Sequence, residues 1–155
     1  MKAPDLKSGQ MITIAYLIGM VVVLFIVYKL LVKVGIIKSS AKKRAEAEQG
    51  AAVDMLRTDE YWKPDYYKGL SFKSLGSNAA TLYAQTIRAG LRGFGTNEEK
   101  INVTFGKLFN KCNVSEVSEK YYLQYGRDLQ TDLLNDLSDK EVASLMNIIN
   151  GLPNK

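Results

Sequence analysis

Residues 11–28 read MITIAYLIGMVVVLFIVY, eighteen residues without a charge. A helix of that length covers roughly 27 Å at ~1.5 Å per residue, close to the hydrocarbon thickness of a bilayer. Lys29 and Lys33 follow four apart, share a helix face, and can carry the span to 34 by snorkelling to one interface. A buried soluble helix is one competing reading, but the run is apolar on every face. A cleaved signal peptide is another, yet its apolar core is shorter and ends in small residues rather than in lysines. The pattern predicts a retained single-span anchor over residues 11–34, after a polar tail at 1–10. Gly19 has no glycine four positions away, so the span offers no GxxxG pairing face.

The formal net charge is +5, and its location matters more than its size. Lys29, Lys33, Lys38, Lys42, Lys43 and Arg44 fall between residues 29 and 44 with no acid among them. Residues 77–155 hold nine basic and nine acidic side chains. The excess is therefore juxtamembrane and faces anionic headgroups, which argues against nucleic acid as a partner. More Lys and Arg follow the span than precede it, which places the C-terminal bulk in the cytoplasm, or on the interior side of a viral membrane assembly. Cys112 is the single cysteine and agrees with a reducing compartment. Histidine is absent, which removes the commonest general base and transition-metal ligand.

Beyond the span, residues 35–57 are rich in helix formers and charge, and read as a helical spacer capped by Ser39 or Ser40 and broken or weakened at Gly50. Residues 58–76 gather Tyr61, Trp62, Tyr66, Tyr67 and Phe72 around Pro64 and two glycines. That segment reads as an ordered loop laying aromatics on its neighbour, or as a docking segment in which Tyr61, Trp62, Tyr66 and Tyr67 meet a partner.

From Ser77 the apolar spacing turns helical. Ala79, Leu82, Tyr83, Thr86, Ile87 and Gly90 line a first face. Ile101, Phe105, Leu108 and Phe109 line a second, opened by Thr96-Asn-Glu-Glu99 as a capping box. Val114, Val117 and Tyr121 line a third, closed by Gly126. Leu129, Leu133, Leu134 and Leu137 line a fourth, capped by Asp128. Val142, Leu145, Met146 and Ile149 line a fifth, with the capping box Ser138-Asp-Lys-Glu141. The expected fold is all-α: an N-terminal transmembrane helix and a five-helix bundle over residues 77–151.

Two motifs within that bundle, Gly93-Phe-Gly95-Thr96 after Arg92 and Gly126-Arg-Asp-Leu129, stand between the helices in an order that resembles one annexin repeat. The resemblance covers about residues 77–151. It implies a calcium loop in which the carbonyls of Leu91, Gly93 and Gly95 and the carboxylate of Asp136 supply oxygens, since a hard cation needs several and glycines let carbonyls converge. The same residues also suit a plain helix-capping turn and a solvated acid. Asp136 is one methylene shorter than the glutamate usual in the family. Arg127 and Asp128 read as structural, Asp128 as a cap and Arg127 as a partner for a neighbouring acid or for the carbonyls that end the third helix.

No catalytic constellation stands out, and Cys112 has no obvious base, so the chain reads as non-enzymatic and needs no cofactor. Three roles fit: a membrane-anchored scaffold that packs against a protein partner or copies of itself, a minor membrane structural protein of a lipid-containing virus, or a calcium-dependent phospholipid-binding module.

Overall fold

A computed structural model describes residues 8–35, 38–92 and 95–155, with side chains placed from Tyr16 onward. Seven α-helices and no strand occur among the described residues: α1 Ser8–Lys33, α2 Ser40–Thr58, α3 Ser77–Leu91, α4 Glu98–Phe105, α5 Lys111–Tyr125, α6 Leu129–Asp136 and α7 Asp139–Asn150. A 3₁₀ turn, Glu60–Trp62, follows α2. The chain divides into two units, residues 1–45 and residues 46–155.

In the first unit α1 runs for 26 residues. Its stretch Tyr16–Lys33 is apolar and long enough to cross a membrane, and none of it is buried within the protein. The apolar side chains from Tyr16 to Tyr28 point outward on all sides, as the absence of a polar face dictates.

In the second unit α5 is the central element. Its residues Cys112 to Ser118, and then Tyr121, are buried, and α3, α6 and the 3₁₀ turn pack around it. The inner face of α3 is Ala80, Ala84, Ile87, Gly90 and Leu91, rotated from the expected one, and Leu82 is 58% exposed. Alanine at two turns lets α3 approach closely, and Gly90 shows how closely. A Cβ there would stand 2.9 Å from Ile101 Cγ1 of α4 and 3.3 Å from the Asn97 carbonyl. Helix α4 is shorter than the spacing suggested. It ends at Phe105, Leu108 is buried in the turn that follows, and Phe109 is 43% exposed. Its cap is Asn97, whose side chain accepts from Lys100 N at 2.9 Å, so the expected start at Thr96 is one residue early.

The other helix ends follow local chemistry. Gly126 takes φ 61° after α5, the left-handed conformation that glycine adopts without strain. Asp128 accepts from Thr131 N at 2.7 Å and opens α6. Glu141 reaches back to Ser138 N at 2.7 Å at the start of α7. Leu129, Leu133, Val142, Leu145, Met146 and Ile149 are buried as the periodicity required.

Two expectations N-terminal of Ser77 need correction. Helix α2 passes through Gly50 unbroken. Its C-terminal part is not a spacer, because Ala52 and Leu56 belong to the core of the second unit, and Gln130 donates to the Leu56 carbonyl. Tyr61 and Trp62 also lie in that core. The helical unit thus begins well before Ser77, and a fragment starting at Thr58 would lack Leu56.

Candidate functional site

Four places concentrate polar chemistry, and each is built by identifiable residues. The first is an ion cluster inside the bundle. Asp132, on the inner face of α6 between Leu129 and Leu133, has a side chain only 3% exposed. Arg88 Nη1 of α3 donates to its Oδ2 at 2.9 Å, Tyr121 Oη of α5 donates at 2.6 Å, and Arg127 Nε reaches both oxygens at 3.0 and 2.8 Å. Arg88 also donates to Tyr121 Oη at 3.0 Å and lies 5.6 Å from the Tyr125 ring centroid. The hydrogen bonds from Arg127, with help from Tyr121 and Arg88, outweigh burial and hold the Asp132 carboxyl below the usual aspartate range. Burial pushes the Tyr121 phenol up, and the Asp132 carboxylate adds to it. Three helices are thereby pinned at one carboxylate. The expectation that Arg127 pairs with a neighbouring acid is met here, whereas Arg88 and Asp132 were missed. The available signal was position: Asp132 stands three residues after Leu129 on the face that Leu133 and Leu129 bury.

The second place is the polar side of α5. Asn113 and Asn110 donate to the Lys73 carbonyl at 2.9 and 3.2 Å. Glu116 accepts from Leu75 N at 3.0 Å, from Asn113 Nδ2 at 2.8 Å and from the Ser74 hydroxyl. Ser115 donates to the Lys63 carbonyl. Segment 63–76 has no helix of its own, so its backbone groups find partners on α5. Tyr67 Oη donates to Glu119 at 2.7 Å. Burial first, and then that hydrogen bond, push its phenol up to about 12. Burial raises the Glu119 carboxyl, but Tyr67 and Lys68 more than offset it and hold the group low.

These contacts decide the aromatic segment. Tyr61 and Trp62 are 6% and 1% exposed, Tyr66 packs on the core, and Tyr67 is spent on Glu119. The four residues therefore fasten the chain's own segment, with Tyr61 and Trp62 withdrawn into the core and Tyr66 and Tyr67 half-buried.

The third place is the loop between α3 and α4. Leu91, the last residue of α3, is buried. Gly93 lies outside the described residues. Gly95 has φ 92°. Thr96 Oγ1 donates to the backbone carbonyl of Asp136, the last residue of α6, at 2.9 Å. The fold thus brings Thr96 to the end of α6. The Asp136 side chain is exposed and lies in the field of Arg127. No group of three or more acidic, Cys or His side chains that could hold a metal occurs among the described residues.

The fourth place is the basic run. Lys29 Nζ stands 5.4 Å above the Phe25 ring, and Lys33 closes α1. Lys38, Lys42, Lys43 and Arg44 are exposed, the last three within the first turns of α2. Cys112 is fully buried, with Sγ 3.4 Å from the Asn154 carbonyl, and burial pushes its thiol up, which disfavours the reactive thiolate.

No known protein family, curated protein or solved structure matches the chain.

Proposed function

We propose that this protein is a membrane-anchored, non-enzymatic scaffold that presents one annexin-like helical unit on the cytoplasmic side of a single span. The observation that carries the reading is α1, whose membrane-length stretch Tyr16–Lys33 is buried nowhere in the protein. Water is a poor solvent for such a surface, at about 25 cal/mol for each Å² left exposed. The basic run from Lys29 to Arg44, at the end of the span and just beyond it, supports the orientation. The order of α3 to α7 and the Thr96–Asp136 link support the annexin-like arrangement. Tyr122 and Leu123, 55% and 68% exposed at the end of α5, supply apolar surface for contacts with a protein partner or a second copy.

Expression with a tag before Met1 and a reporter after Lys155 tests the anchor and its direction together. Both labels are expected in one membrane-bound chain, with the reporter inside and the helical unit resistant to external protease. Separation of the labels would identify a cleaved signal sequence, and external digestion would reverse the topology.

Calcium is a second reading, favoured by the contact that seats the Gly95–Thr96 turn on Asp136. A site with one carboxylate and neutral carbonyls binds weakly, with Kd of ~10⁻⁴–10⁻³ M, unless headgroup oxygens complete it. Liposome co-sedimentation of residues 46–155, without the anchor, beside the same segment carrying Asp136→Asn checks it. A calcium response lost in the variant supports the site, and no response in either protein retires it.

A further inference from the structure

We infer that segment 63–76 is an acid-released strap: two carboxylates of α5, Glu116 and Glu119, hold it to the bundle at neutral pH, and their protonation frees its middle while the helices stay packed. The segment has no helix of its own and crosses α5 between two fixed ends. At one end Trp62 is buried and Ser115 donates to the Lys63 carbonyl. At the other, Asn110 and Asn113 donate to the Lys73 carbonyl, and Gly76 opens α3. Hydroxyl and amide donors keep their protons in acid, so these ends hold at any pH considered.

The ties between and beyond those ends depend on charge. Among the described residues, Tyr67 and Lys68 make the only side-chain hydrogen bond and ion pair from 64–72 to α5, and both reach Glu119, at 2.7 and 3.3 Å. Past Lys73 the clasp is Glu116. Its Oε2 accepts from Leu75 N at 3.0 Å and from Asn113 Nδ2 at 2.8 Å, and its Oε1 accepts from the Ser74 hydroxyl. A bond to an ionised acceptor is roughly twice as strong as its neutral counterpart. Protonated Glu119 would keep a neutral bond with Tyr67 and lose its ion pair with Lys68. A proton on Glu116 Oε2 would face two N–H donors that cannot reverse. One on Oε1 would turn the Ser74 hydroxyl round and leave Leu75 N with a neutral acceptor. Burial raises the Glu119 carboxyl, and Tyr67, Lys68 and Lys120 lower it by more. Its clasp is therefore complete above the usual glutamate range and is lost as pH falls through the lower folded value. The other charged or titratable neighbours of the pair are Lys120, 3.8 Å from Glu119, Cys112, on which the Glu116 charge acts, and Asp128, which lines an open groove with Glu119. Arg88 of α3 and Asp132 of α6 meet α5 at Tyr121 instead. Asp59 and Glu60 at the 3₁₀ turn engage Tyr61 and Lys63, and Lys73 and Lys111 stand over the Phe109 and Tyr61 rings. Release would free Tyr67 and Phe72, whose rings meet edge-on at 5.8 Å, and open the polar side of α5 to solvent.

The test is hydrogen exchange of the full chain in a neutral detergent, read as protection relative to the unstructured rate at each pH. The amides of Lys68, Leu70 and Leu75 donate to Asp65, Tyr67 and Glu116. They are expected to lose about tenfold in protection between pH ~7 and pH ~3.5. The amides of 145–149 in α7 report the bundle and are expected to change less. The double variant E116Q/E119Q carries neutral clasps at every pH. Its strap should exchange at neutral pH as that of the wild type does in acid, with no further acid response. E119Q alone should show this for Lys68 and Leu70, and it decides the matter where the double variant does not fold. Wild-type strap protection that stays constant across the range overturns the inference. So does an acid loss at Lys68 and Leu70 that survives in E119Q, or one that α7 shares equally, which would mean that the whole unit opens.

Discussion

Asp132→Ala is expected to destabilise the helical unit by ~3–5 kcal/mol, the cost typical of removing one partner from a buried ion pair. The loss comes from what remains. Arg88, with a side chain 12% exposed, would keep its charge in a site that water reaches poorly, and Tyr121 Oη would lose its acceptor at 2.6 Å. Arg127, 53% exposed, can turn to solvent and adds little. Asp132→Asn retains an acceptor oxygen and the side-chain shape, so its loss should be smaller. Urea unfolding of residues 46–155 for the three proteins gives the ranking. Acid makes a second check. The folded carboxyl titrates below its unfolded value, so its contribution is complete above pH ~4 and is lost as pH falls through the lower folded value. The gap between the wild type and Asp132→Asn should narrow over that acid window and stay constant from pH 5 to 8.

How much of this was legible before the structure depended on whether the cause was local. The caps at Asp128 and Ser138–Glu141 and the glycine at 126 act within one turn, and the sequence pattern locates them. The inner faces of α6 and α7 were legible because their leucines and methionine repeat without competition. Helix α3 was misread because Leu82 and Tyr83 are large and drew the apolar face toward themselves. The buried face instead carries Ala80 and Ala84, whose small size suits close approach. Helix α5 hid its central role for the opposite reason. Asn113, Ser115 and Glu116 look like a solvated stripe, but they are buried under segment 63–76, whose backbone they satisfy. No periodicity announces a partner that has none itself. The Arg88–Asp132–Arg127 cluster joins residues 44 and 5 apart in sequence, and only the packing of α3 on α6 brings them together. The annexin-like reading rests on its motifs and the order of its helices, and its loop is seated by a threonine that the pattern had assigned to a helix cap.

Trp62→Ala should be the most damaging apolar truncation, at ~3–5 kcal/mol. The indole is 1% exposed and meets the Phe105 ring edge-on at a centroid distance of 5.7 Å. The Tyr61 ring stands against it as well, also at 5.7 Å. It therefore joins the 3₁₀ turn to α4 and sits beside α5, three elements distant in sequence. Truncation would leave a cavity that cannot collapse easily, because Tyr61 is held by Asp59 at 2.7 Å and the following residue is tied to α5 through Ser115. Trp62→Phe keeps most of the ring area and should recover much of the loss. The readouts are chemical denaturation of residues 46–155 and hydrogen exchange across 63–76. If Trp62 anchors that segment to α5, its amides in the Ala variant should open well before global unfolding, while those of α7 keep their protection until the whole unit melts. A loss below ~1 kcal/mol with unchanged exchange would instead show that the aromatic turn rests on the bundle without supporting it.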